Sequence, residues 1–134
     1  MDATSERLVD FTLQARFEDL TPAIIAECKI RVLDTLGCVA SAYDHPVSVS
    51  ARKFAARYSM DTPVTMFGTG QQVSPEMGAF ANSVMLRASD MNDNFRQKGG
   101  GHPSDIIGAL FAGAELGEGD GKSFLTALAI GYEI

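Results

Sequence analysis

The sequence predicts a mostly α fold, a helical bundle interrupted by one short β-hairpin near residues 63–73. Three observations carry this expectation. Apolar residues recur at steps of three and four along most of the chain, the spacing that gathers them on one helix face. Thr21-Pro22 and Ser74-Pro75 pair a capping hydroxyl with a proline suited to the first helical position. A single stretch, Thr62 to Val73, sets β-branched and aromatic residues around a Gly-x-Gly turn.

Taken in order, Thr4 and Ser5 offer caps for a first amphipathic helix that ends near Arg16, with Leu8, Phe11 and Ala15 forming its stripe. Phe17 to Leu20 connects it to a long second helix opened by Thr21-Pro22. There Ile25, Cys28, Val32, Leu36, Val39 and Tyr43 recur helically. Ile24, Ile30 and Leu33 lie off that stripe, so the helix is expected at the centre of the bundle. His45-Pro46 breaks the pattern. A third helix is expected over Val47 to Tyr58, with Arg52, Lys53 and Arg57 outward. The hairpin follows. Its Gly68-Thr69-Gly70 lacks the third glycine of a phosphate-binding loop and reads as a plain turn. Ser74-Pro75-Glu76 restarts helix, which runs to about Ser89. His102-Pro103-Ser104-Asp105 opens the next helix, Gly117 to Gly121 turns, and a last helix begins near Lys122 or Ser123.

Composition narrows the function classes. With 134 residues the chain is long enough to bury a core. Its net charge of −6 opposes a sequence-independent grip on nucleic acid. No apolar run approaches the roughly 20 residues that span a bilayer. The start of the chain lacks a secretory signal pattern, so a cytoplasmic location is expected. Cys28 and Cys38 sit ten apart in one helical pattern, about 15 Å along the axis and too far for a disulfide. Both are expected to be small buried hydrophobes.

The segment Asp90 to Asp105 stands apart from all of this. Its sixteen positions hold three acids, three amides, two cations, three consecutive glycines and one of the two histidines. Asp90 falls where a helix ends and can act as a base or hold a cation. His102 falls near the start of the next helix, suited to accept a proton or to bond a carboxylate. Gly99, Gly100 and Gly101 let backbone N–H groups approach a ligand, and Arg96 and Lys98 add positive charge. Together these residues favour a small anionic substrate and acid–base chemistry. Ordinary turn and helix-capping roles remain the other reading of each residue alone. Asp90, Asp93 and His102 match no known metal-ligand spacing.

Several segments resemble the N-terminal part of the MmgE/PrpD family, which includes 2-methylcitrate dehydratase and cis-aconitate decarboxylase. They are Val32 to Cys38, Gly68-Thr69-Gly70 with Val73 to Glu76, Ala79 to Ser83, Asp90 to Asn94, Gly101 to Asp105, and Ala129 to Glu133. The resemblance implies that residues 1–134 form part of a helical domain, with the lid domain and C-terminal half absent from this chain. It implies a cofactor-independent, metal-free lyase that abstracts a proton from a small di- or tricarboxylate with loss of water. Decarboxylase-like and epimerase-like chemistry are the alternatives within the family. A non-catalytic remnant, or a module that binds tricarboxylates or a partner, is the alternative outside it. The family's Asp-x-(Asp/Asn)-Asp-Thr segment lands on Asp90, Asn92, Asp93 and Asn94, so catalytic roles carry over to Asp90 and, in its His-Pro context, His102. Asn94 stands where the family has threonine. With Arg96 and Lys98 it is a candidate substrate contact. The family's lysine and second histidine have no counterpart here. The chain is therefore expected to be a fragment, or one piece completed by a second chain or within a homodimer.

Overall fold

The structure, a computed structural model, describes residues 2–96 and 99–134. Six α-helices and two small antiparallel sheets make it up among those residues. The mostly α fold with a hairpin in the expected place is what the chain adopts.

Helix α1 (Ala3–Gln14) is capped by Asp2, whose carboxylate accepts the Thr4 and Ser5 N–H groups at 2.9 and 3.1 Å. The cap therefore lies ahead of the expected Thr4 and Ser5, because the shorter acid reaches back-to-back N–H groups that they themselves present. No residue of α1 is buried, so its apolar stripe faces an open groove instead of the core. A 3-10 turn (Phe17–Asp19) leads to α2 (Pro22–Ser41), where Thr21 Oγ1 accepts the Ile24 N–H at 3.3 Å as the sequence suggests.

Helix α2 feeds two apolar clusters. Its second half gives Val39 to a cluster completed by Ala55, Met66, Val73, Ala81, Met85 and Leu86. Its first half gives Cys28 to a cluster with Ile107 and Leu128. Both cysteines are buried and free. The central placement expected for α2 holds on that side. Ile30, Leu33 and Leu36 nonetheless remain exposed on the other.

Helix α3 (Pro46–Ala55) is shorter than the expected Val47 to Tyr58. Lys53 and Arg57 face solvent, but Arg52 does not stand free. Its guanidinium stacks 3.9 Å from the Tyr43 ring centroid and donates to the Tyr43 carbonyl at 2.7 Å. Planar stacking and a closed hydrogen bond keep this cation against the fold.

Strands β1 (Val64–Thr65) and β2 (Gln72–Val73) pair antiparallel, Val64 with Val73 and Thr65 with Gln72. Gly68 and Gly70 have φ of 73° and 65°, which is why glycine serves at both places in this turn. Asn82, buried on α4 (Pro75–Arg87), accepts the Phe67 N–H at 2.8 Å and donates to the Thr65 carbonyl at 3.1 Å. The amide thus satisfies two otherwise unpaired backbone groups and pins the hairpin to the helix.

After α4 come β3 (Phe95–Arg96) and β4 (Gly100–Gly101), a second antiparallel pair where the sequence predicts loop. A 3-10 turn (Pro103–Ile106) then precedes α5 (Ile107–Leu116). Helix α6 (Gly121–Glu133) is capped by Asp120 and packs against α2, α5 and the Pro103–Ile106 turn. Helices α4 and α5 lie so close that a Cβ on Gly108 would stand 2.4 Å from Ser83 Oγ. This contact and the α6 packing bring the ends of α4, α5 and α6 to one place, around Asp90 to Asp105.

Candidate active site

Asp90 occupies the left-handed region, φ 52°, just beyond the end of α4. Asp and Asn enter that region most readily among residues with a side chain. This conformation turns the chain out of the helix axis and directs the following residues across the start of α5. Its carboxylate pairs with Arg87, three residues back on the last turn of α4. The Arg87 guanidinium holds the Asp90 carboxyl below the usual carboxylate range, first by hydrogen bonding and then by charge. Asp90 is therefore ionised at neutral pH, and its side chain is 75% exposed.

His102 comes back to the same point from the other side of the segment. Its Nε2 lies 4.0 Å from Asp90 Oδ1, and its side chain is only 20% exposed. Its Nδ1 lies 2.5 Å from the Asp93 carbonyl oxygen. A carbonyl can only accept, so Nδ1 carries the hydrogen in the neutral ring. Nε2 then has the lone pair, and that lone pair is on the side of Asp90. The two residues singled out from sequence are thus brought together, one ionised carboxylate and one ring nitrogen free to take a proton.

A polar web underlies them. Buried Asn92 accepts from Arg87 Nη1 at 3.2 Å and donates to Ser104 Oγ at 2.9 Å and Asp105 Oδ1 at 3.1 Å. Arg87 Nε also lies 3.6 Å from Asp105 Oδ1. Asp93 Oδ1 accepts the Ser104 N–H at 3.1 Å. Ser83 Oγ on α4 donates to the Asp105 carbonyl at 3.1 Å. Asn92 and Asp93 read in sequence as plain turn formers; here they tie the end of α4 to the start of α5. The bonds of Asn92 leave little freedom to rearrange, because a buried amide is costly when unpaired.

The remaining sequence candidates are less engaged. Asn94 and Arg96 are exposed, with Arg96 on β3 opposite Gly100. Lys98 lies outside the described residues. Gly100 and Gly101 join the β3–β4 ladder, and neither has a positive φ. Among the described residues, no group of three or more His, Cys, Asp and Glu could hold a metal ion. No helix there is long and apolar enough to cross a membrane.

Arg87 and Tyr132 are the site partners that sequence reasoning missed. Arg87 had a signal, a cation three residues before an acid at a helix end. Tyr132 had none beyond its place in the Gly-Tyr-Glu resemblance: its hydroxyl donates to Asp93 Oδ2 at 2.7 Å across 39 residues of chain. A groove of about 610 Å³ is lined by Phe11, Leu20, Ile24, Cys28 and Tyr132, and neither Asp90 nor His102 borders it. The Asp90 carboxylate of the pair is exposed, with the mostly buried His102 ring beside it.

Comparison with known proteins finds a family and several relatives. A family model described as the MmgE/PrpD N-terminal domain matches residues 6–134. A 2-methylcitrate dehydratase of Salmonella typhi is 35% identical over 88 residues, covering 63% of this chain and 18% of the relative. A probable 2-methylcitrate dehydratase of Saccharomyces cerevisiae is 31% identical over 93 residues, covering 62% and 16%. The 2-methylcitrate dehydratase-like protein oryR of Aspergillus oryzae is 28% identical over 148 residues, covering 99% and 29%. The chain thus spans a fifth or less of the length of the first two relatives.

Proposed function

The chain belongs to the MmgE/PrpD family, and from that membership and the Asp90–His102 geometry we propose that it supplies an acid–base pair to a dehydratase acting on small di- or tricarboxylates, of the 2-methylcitrate type. One observation carries the reading: an ionised Asp90 stands 4.0 Å from the Nε2 of a histidine whose other nitrogen is already bonded. Nε2 takes the proton from the carbon beside a substrate carboxylate, and Asp90 holds the resulting imidazolium by charge. The same proton is returned to the departing hydroxyl. One C–H and one C–O bond break, a C=C bond forms, and water leaves. Asp90 is a carboxylate at neutral pH, so it orients and stabilises, and His102 carries the proton.

Asn94, Arg96 and Lys98 are proposed contacts to substrate carboxylates, Arg96 through the forked hydrogen bonding that suits a carboxylate. No cofactor or metal enters the scheme. The exposed Asp90 carboxylate and the greater length of the relatives support a site completed by further polypeptide, in a homodimer or from a second chain. The 134 residues alone are then expected to be inactive.

The test is His102→Ala in the complete enzyme, assayed with 2-methylcitrate and with cis-aconitate. Turnover should fall at least ~100-fold, the usual worth of a general acid or base. Unchanged turnover sinks the role. Citrate affinity by calorimetry with no product from the complete protein would support the tricarboxylate-binding module instead.

A further inference from the structure

We propose that Tyr132 and Asp93 are a positioning pair that selects the Nδ1–H form of His102 and so aims its basic nitrogen at Asp90. The inference deepens the reading of His102 as the proton carrier and rests on it, but its test does not require catalysis.

Asp93 uses three acceptor atoms at once. Oδ2 accepts the Tyr132 hydroxyl at 2.7 Å, Oδ1 accepts the Ser104 N–H at 3.1 Å, and the backbone carbonyl lies 2.5 Å from His102 Nδ1. The two side-chain bonds clamp the residue from opposite sides, one from α6 and one from the turn that opens α5. Its peptide carbonyl is thereby held against the imidazole. Neutral histidine in water favours the Nε2–H form, so a fixed carbonyl acceptor at Nδ1 selects the less common tautomer. Without it the lone pair would turn away from Asp90.

Tyr132 is fitted to this task. Burial and the Asp93 carboxylate push its phenol far above the ordinary tyrosine value, so it remains a donor at every working pH. Its ring packs against the Cys28, Ile107 and Leu128 cluster. A rigid helix with a fixed ring therefore sets where Asp93 sits.

His45 provides an internal standard. Its Nδ1 accepts the Val47 N–H at 3.3 Å, so it must carry its hydrogen on Nε2. The two histidines of the chain are thus expected in opposite tautomers. The experiment is long-range ¹H–¹⁵N correlation of the imidazoles in the 134-residue chain at a pH where both rings are neutral. The expected result is Nδ1–H for His102 and Nε2–H for His45. Tyr132→Phe, which keeps the ring, should move His102 toward Nε2–H and leave the His45 signals in place. Asp93→Ala, which leaves Tyr132 and its packing intact, is the second variant and should give the same shift. An Nε2–H His102 in the parent protein, or an unchanged tautomer in either folded variant, overturns the pair. A tautomer shift in Tyr132→Phe beside undiminished turnover of the complete enzyme carrying that substitution upholds the pair and removes His102 as proton carrier.

Discussion

Asp90 performs two separable jobs, one through its backbone and one through its charge. Its φ of 52° is tolerated by Asp, Asn and Gly but strained for Ala. Asp90→Asn should therefore lose only the charge contribution to the thermal midpoint, and Asp90→Ala should lower the midpoint further. Both should abolish the electrostatic support of His102. The charge also makes stability depend on pH. The folded-state carboxyl lies below its ordinary value of 3.8 because of Arg87. The stabilisation it contributes is present above that ordinary value and is lost as pH falls through the folded one. Melts at pH 7 and pH 3 check this: the advantage of the parent over Asp90→Asn should narrow at the lower pH. It should also shrink in high salt, because the pair is exposed. Asp90 and His102 were legible as a site because both stand in one unusual segment. Arg87 and Tyr132 were not, since neither the direction of a helix-end side chain nor a contact across 39 residues is written in local pattern.

Between elements, closeness of packing decides what a glycine is for. Gly108 and Gly113 lie five residues apart on α5. A Cβ at Gly108 would meet Ser83 Oγ at 2.4 Å, Ser83 N at 2.8 Å and the Ala79 carbonyl at 3.0 Å, whereas nothing lies within 4 Å of one at Gly113. Gly113→Ala should stabilise the chain by about 0.5–1 kcal/mol through helix propensity. Gly108→Ala should destabilise it by about 1–3 kcal/mol, because backbone atoms cannot yield and overpacking outweighs propensity. Urea unfolding of the two variants gives the opposite signs directly. The helix starts at Thr21-Pro22 and Ser74-Pro75 were readable because cap and proline act within one turn. The β3–β4 pair was not readable: two strands of two residues, one of them Gly100-Gly101, carry no alternating apolar pattern.

At the scale of the whole molecule, large apolar side chains stand in solvent. Leu33 and Leu13 are 72% and 71% exposed, and Ile30 and Leu36 join Leu33 on the free side of α2. Apolar faces of this kind are covered in stable assemblies. The isolated chain should self-associate, seen as a concentration-dependent sedimentation coefficient, and Leu33→Lys should reduce that association without lowering the thermal midpoint. A parent that sediments as a monomer at all concentrations contradicts this. Sequence alone determined the helical class, the turn at Gly68 to Gly70, the family resemblance and the segment that holds Asp90 and His102, because each depends on residues within a few positions of one another. Only the tertiary structure decided that Arg87 lowers the pKa of Asp90, that Asp93 presents its carbonyl to His102, and that Tyr132 reaches Asp93 from α6. Those contacts exist because α4, α5 and α6 pack together at one end, and that packing is set by the summed fit of many side chains, none of which signals it alone.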